Sequence, residues 1–207
     1  MKIGIMGGTF NPVHIGHLLL GEFAYEQFDL DEIWFMPNGN PPHKEVHFWK
    51  DALKQRIEML RLAIEGVPYF KLSLHEADDS KHSYTYQTLK ELRKLYPENE
   101  YYFILGADSL FSLETWKNYK EIFPSCVILA AMRDDKLRED VIGQIRYLIQ
   151  KYNADIRLLK APKFEISSTE IRERVQNHKS IKYMIPDSVE AFIKEHGLYQ
   201  IEDGKSC

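Results

Sequence analysis

Short apolar runs alternate with amphipathic stretches along most of this chain. The apolar or β-branched runs predict strands, and the stretches between them predict helices because their apolar residues recur at intervals of three and four. The predicted strands are residues 2–6, 32–36, 70–74, 101–105, 126–131 and 155–159. The predicted helices are residues 18–28, 51–65, 85–96 and 136–152, followed by two more within 166–199.

This alternation indicates an α/β fold. Strands that alternate with helices form a parallel sheet covered on both faces, so we expect a Rossmann-like, doubly wound parallel sheet with a small C-terminal helical part. We expect a single domain over residues 1–207, with its core in 1–165 and its C-terminal helices in 166–200. Such sheets bind ligands beyond the carboxyl ends of their strands, where the strand order reverses.

Three segments that directly follow predicted strands carry turn and polar residues. They are the glycine-rich turn after the first strand, the proline-rich segment 37–44, and the segment 106–109. Because the carboxyl ends of parallel strands lie at one edge of the sheet, we expect all three to meet in one crevice.

The composition narrows the functional classes without selecting one. An apolar content of 44% and a charged content of 28% are ordinary for a soluble globular protein. The net charge of −4 gives no overall indication of a nucleic-acid or membrane-surface partner. Cys126 and Cys207 lie far apart, which argues against a disulfide framework and fits a reducing compartment. The short apolar start is unlike a secretory signal, and no apolar run approaches the roughly 20 residues that span a bilayer, so we expect a cytoplasmic protein.

The segment GGTFNPVHIGH, residues 7–17, has the features of an anion site. A glycine turn between a strand and a helix lets backbone N–H groups approach an anion, and the helix N-terminus adds a partial positive charge. His14 and His17 lie on one face of the helix start, where they could donate hydrogen bonds to phosphate oxygens. The alternatives are a metal pair, for which no HExxH pattern is present, or two capping histidines. Gly16 either packs closely or lets a bulky substrate approach the backbone.

The segment ISSTEIR, residues 166–172, predicts a second helix start. Ser167 and Glu170 form a capping box, which is usually structural. Ser168 and Thr169 add donors in the first turn, and Arg172 follows Ser168 by one turn on the same face. Such a group can hold a polyphosphate. The residue types alone leave both interpretations open.

Other candidates are individually weaker. Asp108 follows the fourth strand and could bind a ribose or Mg²⁺, or simply cap a helix. His43 and Lys44 end the proline-rich loop and could clamp a phosphate, although an exposed lysine is usually only solvated. Trp116 could stack on an aromatic ring or lie in the core. Arg133 follows the fifth strand and could reach a phosphate or only solvent.

Four ordered motifs, GGTFNPVHIGH, PNGNPPHK, GADSL and ISSTEIR, resemble the nucleotidyltransferase superfamily of the HxGH type. The ISSTxxR ending is similar to its adenylyltransferase branch. The PPHK loop, Ser83-Tyr84-Thr85, Trp116 and the tail at residues 183–199 resemble the bacterial nicotinate-nucleotide adenylyltransferases. The resemblance covers residues 2–199. One difference is Asn11, where many members have Asp; the amide keeps an acceptor but loses the charge, so no catalytic role is predicted there.

The resemblance implies a reaction in NAD biosynthesis. The phosphate of nicotinate mononucleotide attacks the α-phosphorus of ATP in line, giving deamido-NAD and pyrophosphate. ATP is the co-substrate, Mg²⁺ is bound mainly through its phosphates, and no metal site made by protein residues is expected. The implied catalytic residues are His14, His17 and Arg172. The implied ATP-binding residues are Gly7, Gly8, Thr9, Phe10, Gly106, Asp108, Ser167, Ser168 and Thr169. The implied mononucleotide-binding residues are Asn38, His43, Lys44, Thr85, Trp116 and Arg133.

Three alternatives to this function stay open. A phosphopantetheine adenylyltransferase shares both end motifs, but those chains are shorter and usually have Thr at the position of His14. An enzyme that prefers nicotinamide mononucleotide is poorly separated by sequence. A non-catalytic ATP-binding module is disfavoured by the presence of His14, His17, Lys44, Asp108 and Arg172. We expect ATP and nicotinate mononucleotide as partners, and neither nucleic acid nor membrane. A homo-oligomer stays an open alternative, as does closure of the loop 37–48 over substrate.

Overall fold

The computed structural model describes residues 1–39, 52–78, 80, 82–132, 138–162 and 165–200. Within these residues a sheet of six parallel strands runs in the order β3-β2-β1-β4-β5-β6. The strands are β1 (Lys2–Gly8), β2 (Glu32–Pro37), β3 (Phe70–Leu72), β4 (Glu100–Gly106), β5 (Val127–Met132) and β6 (Ile156–Lys160). The predicted Rossmann-like, doubly wound parallel sheet is therefore confirmed.

The strand order reverses at β1. The chain first adds β2 and β3 on one side of β1 and then returns to pair β4 with its other side. In such a sheet the connections after β1 and β4 leave in opposite directions, which opens a crevice at their carboxyl ends. Gly8 ends β1 and Gly106 ends β4, so the glycine turn and the GADS segment both begin at this crevice.

Helices cover both faces of the sheet because alternate strand residues point to opposite sides. One buried cluster contains Met6 and packs α1 (Ile15–Phe28), α2 (Ala52–Ile64), α6 (Ser168–Gln176) and α7 (Asp187–Glu195). The other contains Ile3 and Ile5 and packs α3 (Thr85–Leu95), α4 (Ala107–Ser112) and α5 (Arg138–Tyr152). Both C-terminal helices thus lie on the same face as α1, the helix that follows the glycine turn.

Several boundaries differ from the sequence prediction. Helix α1 begins at Ile15 rather than at the predicted residue 18. The sequence pattern missed its first turn because Gly16 and His17 do not continue the apolar repeat. Strand β3 ends at Leu72 because its pairing with β2 stops there. The sequence pattern does not predict helix α4, which at six residues is too short to show periodicity. Two 3₁₀ turns follow it, Leu113–Thr115 and Tyr119–Glu121. Across the described ranges, no helix is both long and apolar enough to cross a membrane.

Two helical glycines provide a test of the packing. A Cβ at Gly21 in α1 would lie 3.0 Å from the Cζ atom of Phe35, whose buried ring is held edge-on between two other phenylalanine rings. A Cβ at Gly143 in α5 would meet nothing within 4 Å. We expect Gly21→Ala to lower the free energy of unfolding by about 1–3 kcal/mol through overpacking. As the control, Gly143→Ala should raise it by about 0.5–1 kcal/mol because alanine favours helix. Urea denaturation measures both, and a Gly21→Ala protein as stable as the parent would contradict the packing described.

Candidate active site

Hydrogen bonds to backbone carbonyl oxygens hold the turn between β1 and α1 in place. Four of them accept hydrogen bonds from parts of the chain that are distant in sequence. The contacts are Asn38 N–H to Gly8 O at 3.0 Å, Arg56 Nη1 to Thr9 O at 2.7 Å, Arg172 Nη1 to Asn11 O at 2.8 Å, and Ser168 Oγ to Pro12 O at 2.8 Å. The C=O and N–H of one trans peptide unit point in opposite directions, so the N–H groups that follow Gly8, Thr9 and Pro12 point away from these donors. The Asn11–Pro12 unit is cis and has no N–H. A backbone arranged in this way can receive an anion.

The buried side chain of Phe10 fixes the shape of the turn. Its backbone φ of 48° is in the left-handed region, and its side chain is almost fully buried. The ring packs edge-on against His17 at 5.0 Å between centroids. It also fills the space beside Gly8, where a Cβ would lie 3.1 Å from the ring. With its side chain buried, Phe10 can offer a ligand only its backbone.

His14 and His17 form one stacked unit at the start of α1. Their ring centroids are 3.7 Å apart and the planes are inclined by 28°. His14 occupies the N-cap position and is 3% exposed. A Cβ at Gly16 would lie 3.1 Å from Nδ1 of His14, so a larger residue there would displace the ring. Of the two roles considered for Gly16, the structure favours close packing.

The proton position on His17 follows from its hydrogen bond. The backbone N–H of His14 donates to Nδ1 of His17 at 3.3 Å. A nitrogen that accepts a hydrogen bond carries no proton, so the neutral ring must be protonated at Nε2. His17 is only partly buried, and in this tautomer Nε2–H is the donor of its ring.

The start of α6 serves two purposes. Ser167 is the N-cap, and its Oγ accepts from the backbone N–H of Glu170 at 3.1 Å, as the capping interpretation predicts. Ser168 and Arg172 instead reach the glycine turn, about 160 residues earlier, and Arg172 Nη2 also donates to Thr169 Oγ1 at 3.2 Å. The capping interpretation therefore holds for Ser167, and the polyphosphate interpretation for Ser168, Thr169 and Arg172 stays a prediction. The structure joins the glycine-turn motif and the α6 motif directly.

A cavity of about 430 Å³ opens beside the turn at the carboxyl end of β1. Its lining includes five of the predicted residues, Gly7, Gly8, Asn38, Thr85 and Trp116. Trp116 is half-buried and meets Phe103 edge-on at 6.2 Å. The Oδ1 atom of Asn38 is buried and has no hydrogen-bond partner within the described part of the chain. Buried polar atoms are normally satisfied, so this oxygen is suited to accept a hydrogen bond from a bound molecule.

Sequence reasoning did not assign roles to several residues around this cavity. Ser83, Tyr84 and Lys117 line it. Ser83 and Tyr84 belonged to a segment that carries the family resemblance but were given no role, and the only signal for Lys117 was its adjacency to Trp116. The ammonium group of Lys117 lies 4.3 Å from the centroid of the Tyr84 ring. This cation–π contact holds the ammonium group beside the N-terminus of α3.

Glu76 and Arg56 gave no sequence signal at all. Glu76 also lines the cavity; burial raises the pKa of its carboxyl group, while a hydrogen bond from Thr88 Oγ1 at 2.7 Å acts in the opposite direction. Arg56 is fully buried under the turn and joins it to the segment after β2 through the carbonyls of Thr9 and Gly39. Burial lowers the pKa of Arg56 to about 10, so the side chain is still charged at neutral pH.

The remaining predicted residues divide into two groups. Gly106 and Asp108 lie at the carboxyl end of β4, the neighbour of β1, but do not line the cavity. Gly106 faces open space, and Asp108 is exposed in the first turn of α4. His43, Lys44 and Arg133 lie outside the described residues.

A family model described as cytidylyltransferase-like matches residues 5–174. The chain belongs to the cytidylyltransferase-like family. The resemblance stated from the motifs is thereby confirmed at the level of the family, and the glycine turn and the start of α6 both lie within the matched region.

Curated relatives of this cytidylyltransferase-like chain match it over nearly its whole length. A protein of Lachnoclostridium phytofermentans is 44% identical over 96% of this chain and 98% of its own, and one of Exiguobacterium sibiricum is 41% identical over 96% and 99%. Both are named probable nicotinate-nucleotide adenylyltransferase. The Plasmodium falciparum nicotinic acid mononucleotide adenylyltransferase complexed with NaAD superimposes with a TM-score of 0.76. It covers 96% of this chain and 97% of its own, and at 22% identity it supports the fold alone.

The hydrogen bonds around two histidines predict opposite tautomers. His17 should be protonated at Nε2 because its Nδ1 accepts from a backbone N–H. His196 provides the control, because its Nδ1 lies 3.0 Å from the carbonyl oxygen of Phe192 and must donate. Nitrogen-15 NMR of the imidazole rings, at a pH where both are neutral, should show Nε2–H for His17 and Nδ1–H for His196. An Nδ1–H signal for His17 would contradict the capping geometry.

Proposed function

We propose that this chain transfers the adenylyl group of ATP to nicotinate mononucleotide, giving deamido-NAD and pyrophosphate. The observation that carries the proposal is the junction of two motifs: Ser168 and Arg172 from α6 bind the carbonyls of the glycine turn that presents His14 and His17. A cavity suited to a second substrate opens beside that turn. Relatives with 38–44% identity that carry the name nicotinate-nucleotide adenylyltransferase support the substrate assignment.

The chemistry requires positioning and charge stabilisation. An oxygen of the mononucleotide phosphate forms a bond to the α-phosphorus of ATP while the bond to the pyrophosphate oxygen breaks in line with it. The attacking oxygen is already anionic, so no general base is needed. Negative charge spreads over the oxygens of the transferred group, and prearranged donors stabilise it. We assign this role to His14 and to the Nε2–H of His17.

The triphosphate of ATP is assigned to the α6 side of the turn. Two nitrogens of Arg172 donate to Asn11 O and Thr169 Oγ1, and a guanidinium has further N–H donors for phosphate oxygens. Ser168 and Thr169 lie in the first helical turn, where backbone N–H groups are unpaired within the helix. The backbone of the turn and the end of β4 complete this side of the crevice, through Gly7, Gly8, Thr9, Phe10, Gly106 and Asp108.

The mononucleotide is assigned to the cavity beside the turn. Trp116, Tyr84 and Phe103 provide aromatic surfaces for a flat ring, and Asn38 Oδ1 can accept a hydrogen bond from a ribose hydroxyl. The N-terminus of α3 at Thr85 and the ammonium group of Lys117 make one end of the cavity favourable for a carboxylate. His43, Lys44 and Arg133 are assigned to the phosphate end by the family resemblance only.

Magnesium fits this site only as a companion of the ATP phosphates. Within the described ranges no group of three or more His, Cys, Asp or Glu side chains could hold a metal ion. An ion that keeps water and phosphate oxygens as its main ligands needs at most one or two carboxylates, and Asp108 at the crevice edge is of the right type. When bound, Mg²⁺ would neutralise charge on the leaving pyrophosphate. A single domain and a cytoplasmic location complete the proposal.

A pyrophosphate-release assay tests the function. The protein is incubated with ATP, Mg²⁺ and one acceptor at a time: nicotinate mononucleotide, nicotinamide mononucleotide or phosphopantetheine. We expect the highest kcat/KM with nicotinate mononucleotide. Release with phosphopantetheine alone, or with none of the three, would overturn the proposal.

Removal of the His17 imidazole should slow the reaction. We expect His17→Ala to lower kcat by about 10²-fold or more, because one well-placed donor to the transition state is lost. His196→Ala, which removes an exposed imidazole at the end of α7, is the matched control and should keep the parent kcat. A folded His17→Ala protein with near-parental kcat would refute the assigned role.

Neutralising Lys117 should reduce discrimination between the acid and the amide. We expect Lys117→Gln to lower the ratio of kcat/KM for nicotinate over nicotinamide mononucleotide by about two- to fivefold, the effect of one partly exposed charge. Lys120→Gln serves as the control, because Lys120 is an exposed lysine of the same segment that does not line the cavity. An unchanged ratio in Lys117→Gln would assign selectivity to backbone donors alone.

A further inference from the structure

The side chain of Tyr199, in the C-terminal segment, contacts the glycine turn. The hydroxyl group of Tyr199 donates to Oδ1 of Asn11 at 2.6 Å, across 188 positions of sequence. The chain reaches this point by a sharp turn after α7, with left-handed φ values of 59° at Gly197 and 65° at Tyr199. A tyrosine in this conformation is unfavourable by itself and persists where tertiary contacts hold it.

The surroundings of Tyr199 make its hydroxyl a dedicated donor. The residue packs against the cluster that contains α2 and α7, and its hydroxyl oxygen lies 4.0 Å from Sδ of Met59. Burial raises the pKa of Tyr199, so the hydroxyl keeps its proton at all physiological pH values. Asn11 can satisfy that donor only through Oδ1, because its amide nitrogen is itself a donor.

Asn11 is therefore held at two atoms by two separate elements. Its side-chain oxygen receives the Tyr199 hydroxyl, and its backbone oxygen receives Nη1 of Arg172 at 2.8 Å. Arg172 is also within hydrogen-bond distance of Thr169. The position of the Arg172 guanidinium thus depends on where Asn11 is fixed.

We propose that Tyr199 is a positioning residue for adenylyl transfer, which acts through Asn11 to fix the glycine turn and Arg172 in the geometry that receives the ATP phosphates. The inference rests on the proposed function. It also gives a physical reason for the residue at position 11: the site needs a hydrogen-bond acceptor there, and either an amide or a carboxylate supplies one.

Three variants test this role with the full-length protein. Tyr199→Phe removes only the hydroxyl, Asn11→Leu removes the acceptor at similar size, and Asn11→Asp keeps an acceptor. We expect the first two to raise the KM for ATP and the Kd for ATP alone, measured by calorimetry, by about three- to tenfold, the value of one buried hydrogen bond. The KM for nicotinate mononucleotide should change by less than about twofold, because its cavity does not include Tyr199.

Further measurements separate positioning from general stability. Asn11→Asp should recover most of the ATP affinity that Asn11→Leu loses. The Tyr199→Phe/Asn11→Leu double variant should bind ATP no more weakly than the weaker-binding single variant, because both changes remove the same hydrogen bond. Tyr69→Phe is the matched control, since the Tyr69 hydroxyl donates to Glu22 on another part of the surface and its loss should leave both KM values unchanged.

Two results would overturn the proposal. One is a Tyr199→Phe protein with parental KM and Kd for ATP, and the other is an equal rise of both KM values that tracks a loss of thermal stability. Failure of the proposed function is a different observation, because the parent protein itself would then release no pyrophosphate with ATP and nicotinate mononucleotide.

Discussion

The site depends on one constraint, which is that the carbonyl oxygens of the turn after β1 must find donors inside the protein. The bond from Asn38 to Gly8 O continues the pairing of β1 with β2, but the carbonyls after Gly8 have no ladder to satisfy them, and an unpaired buried carbonyl is costly. The donors come from the end of β2, from Arg56 in α2, and from Ser168 and Arg172 in α6. The bonds to Gly8 O, Thr9 O and Pro12 O also orient the N–H groups that follow these carbonyls away from the donors.

This arrangement explains why the C-terminal helices belong to the site although they contribute no strand. Helices α6 and α7 pack on the sheet face that also carries α1, and α6 bonds the turn directly. The backbone N–H of Ile15, in the first turn of α1, donates to the carbonyl of Met184 at 2.9 Å, between α6 and α7. The C-terminal region therefore shapes the start of α1, where both histidines lie.

The fold and part of the site could be predicted from local patterns. Alternating apolar runs are sufficient for a parallel sheet, and segments at its carboxyl edge are then expected to converge, as Asn38 does beside Gly7 and Gly8. Gly106 and Asp108 lie at the same edge but do not line that cavity, whereas Thr85 and Trp116, implied by the family resemblance, do. The link between residue 11 and residue 199 has no local signature, because nothing in either segment indicates that the two side chains meet. Arg56 is similar: in the sequence it is one polar position of an amphipathic helix, and only the packing of α2 under the turn reveals it as buried. Helix α4 and the first turn of α1 escape prediction because short or glycine-containing turns carry no periodicity.

Arg56 places a positive charge at the turn as part of the folded structure, before any substrate binds. Burying a guanidinium is unfavourable, and the lowered pKa near 10 reflects that cost, yet the group stays charged at neutral pH. Its short bond to Thr9 O places this positive charge directly behind the turn, on the side opposite the N–H groups. A polyphosphate bound at the turn would then meet the backbone donors, the α1 N-terminus and a fixed charge behind them. Because these groups are already oriented by folding, little reorganisation is needed when negative charge develops during transfer, which is the condition under which electrostatic stabilisation is most effective.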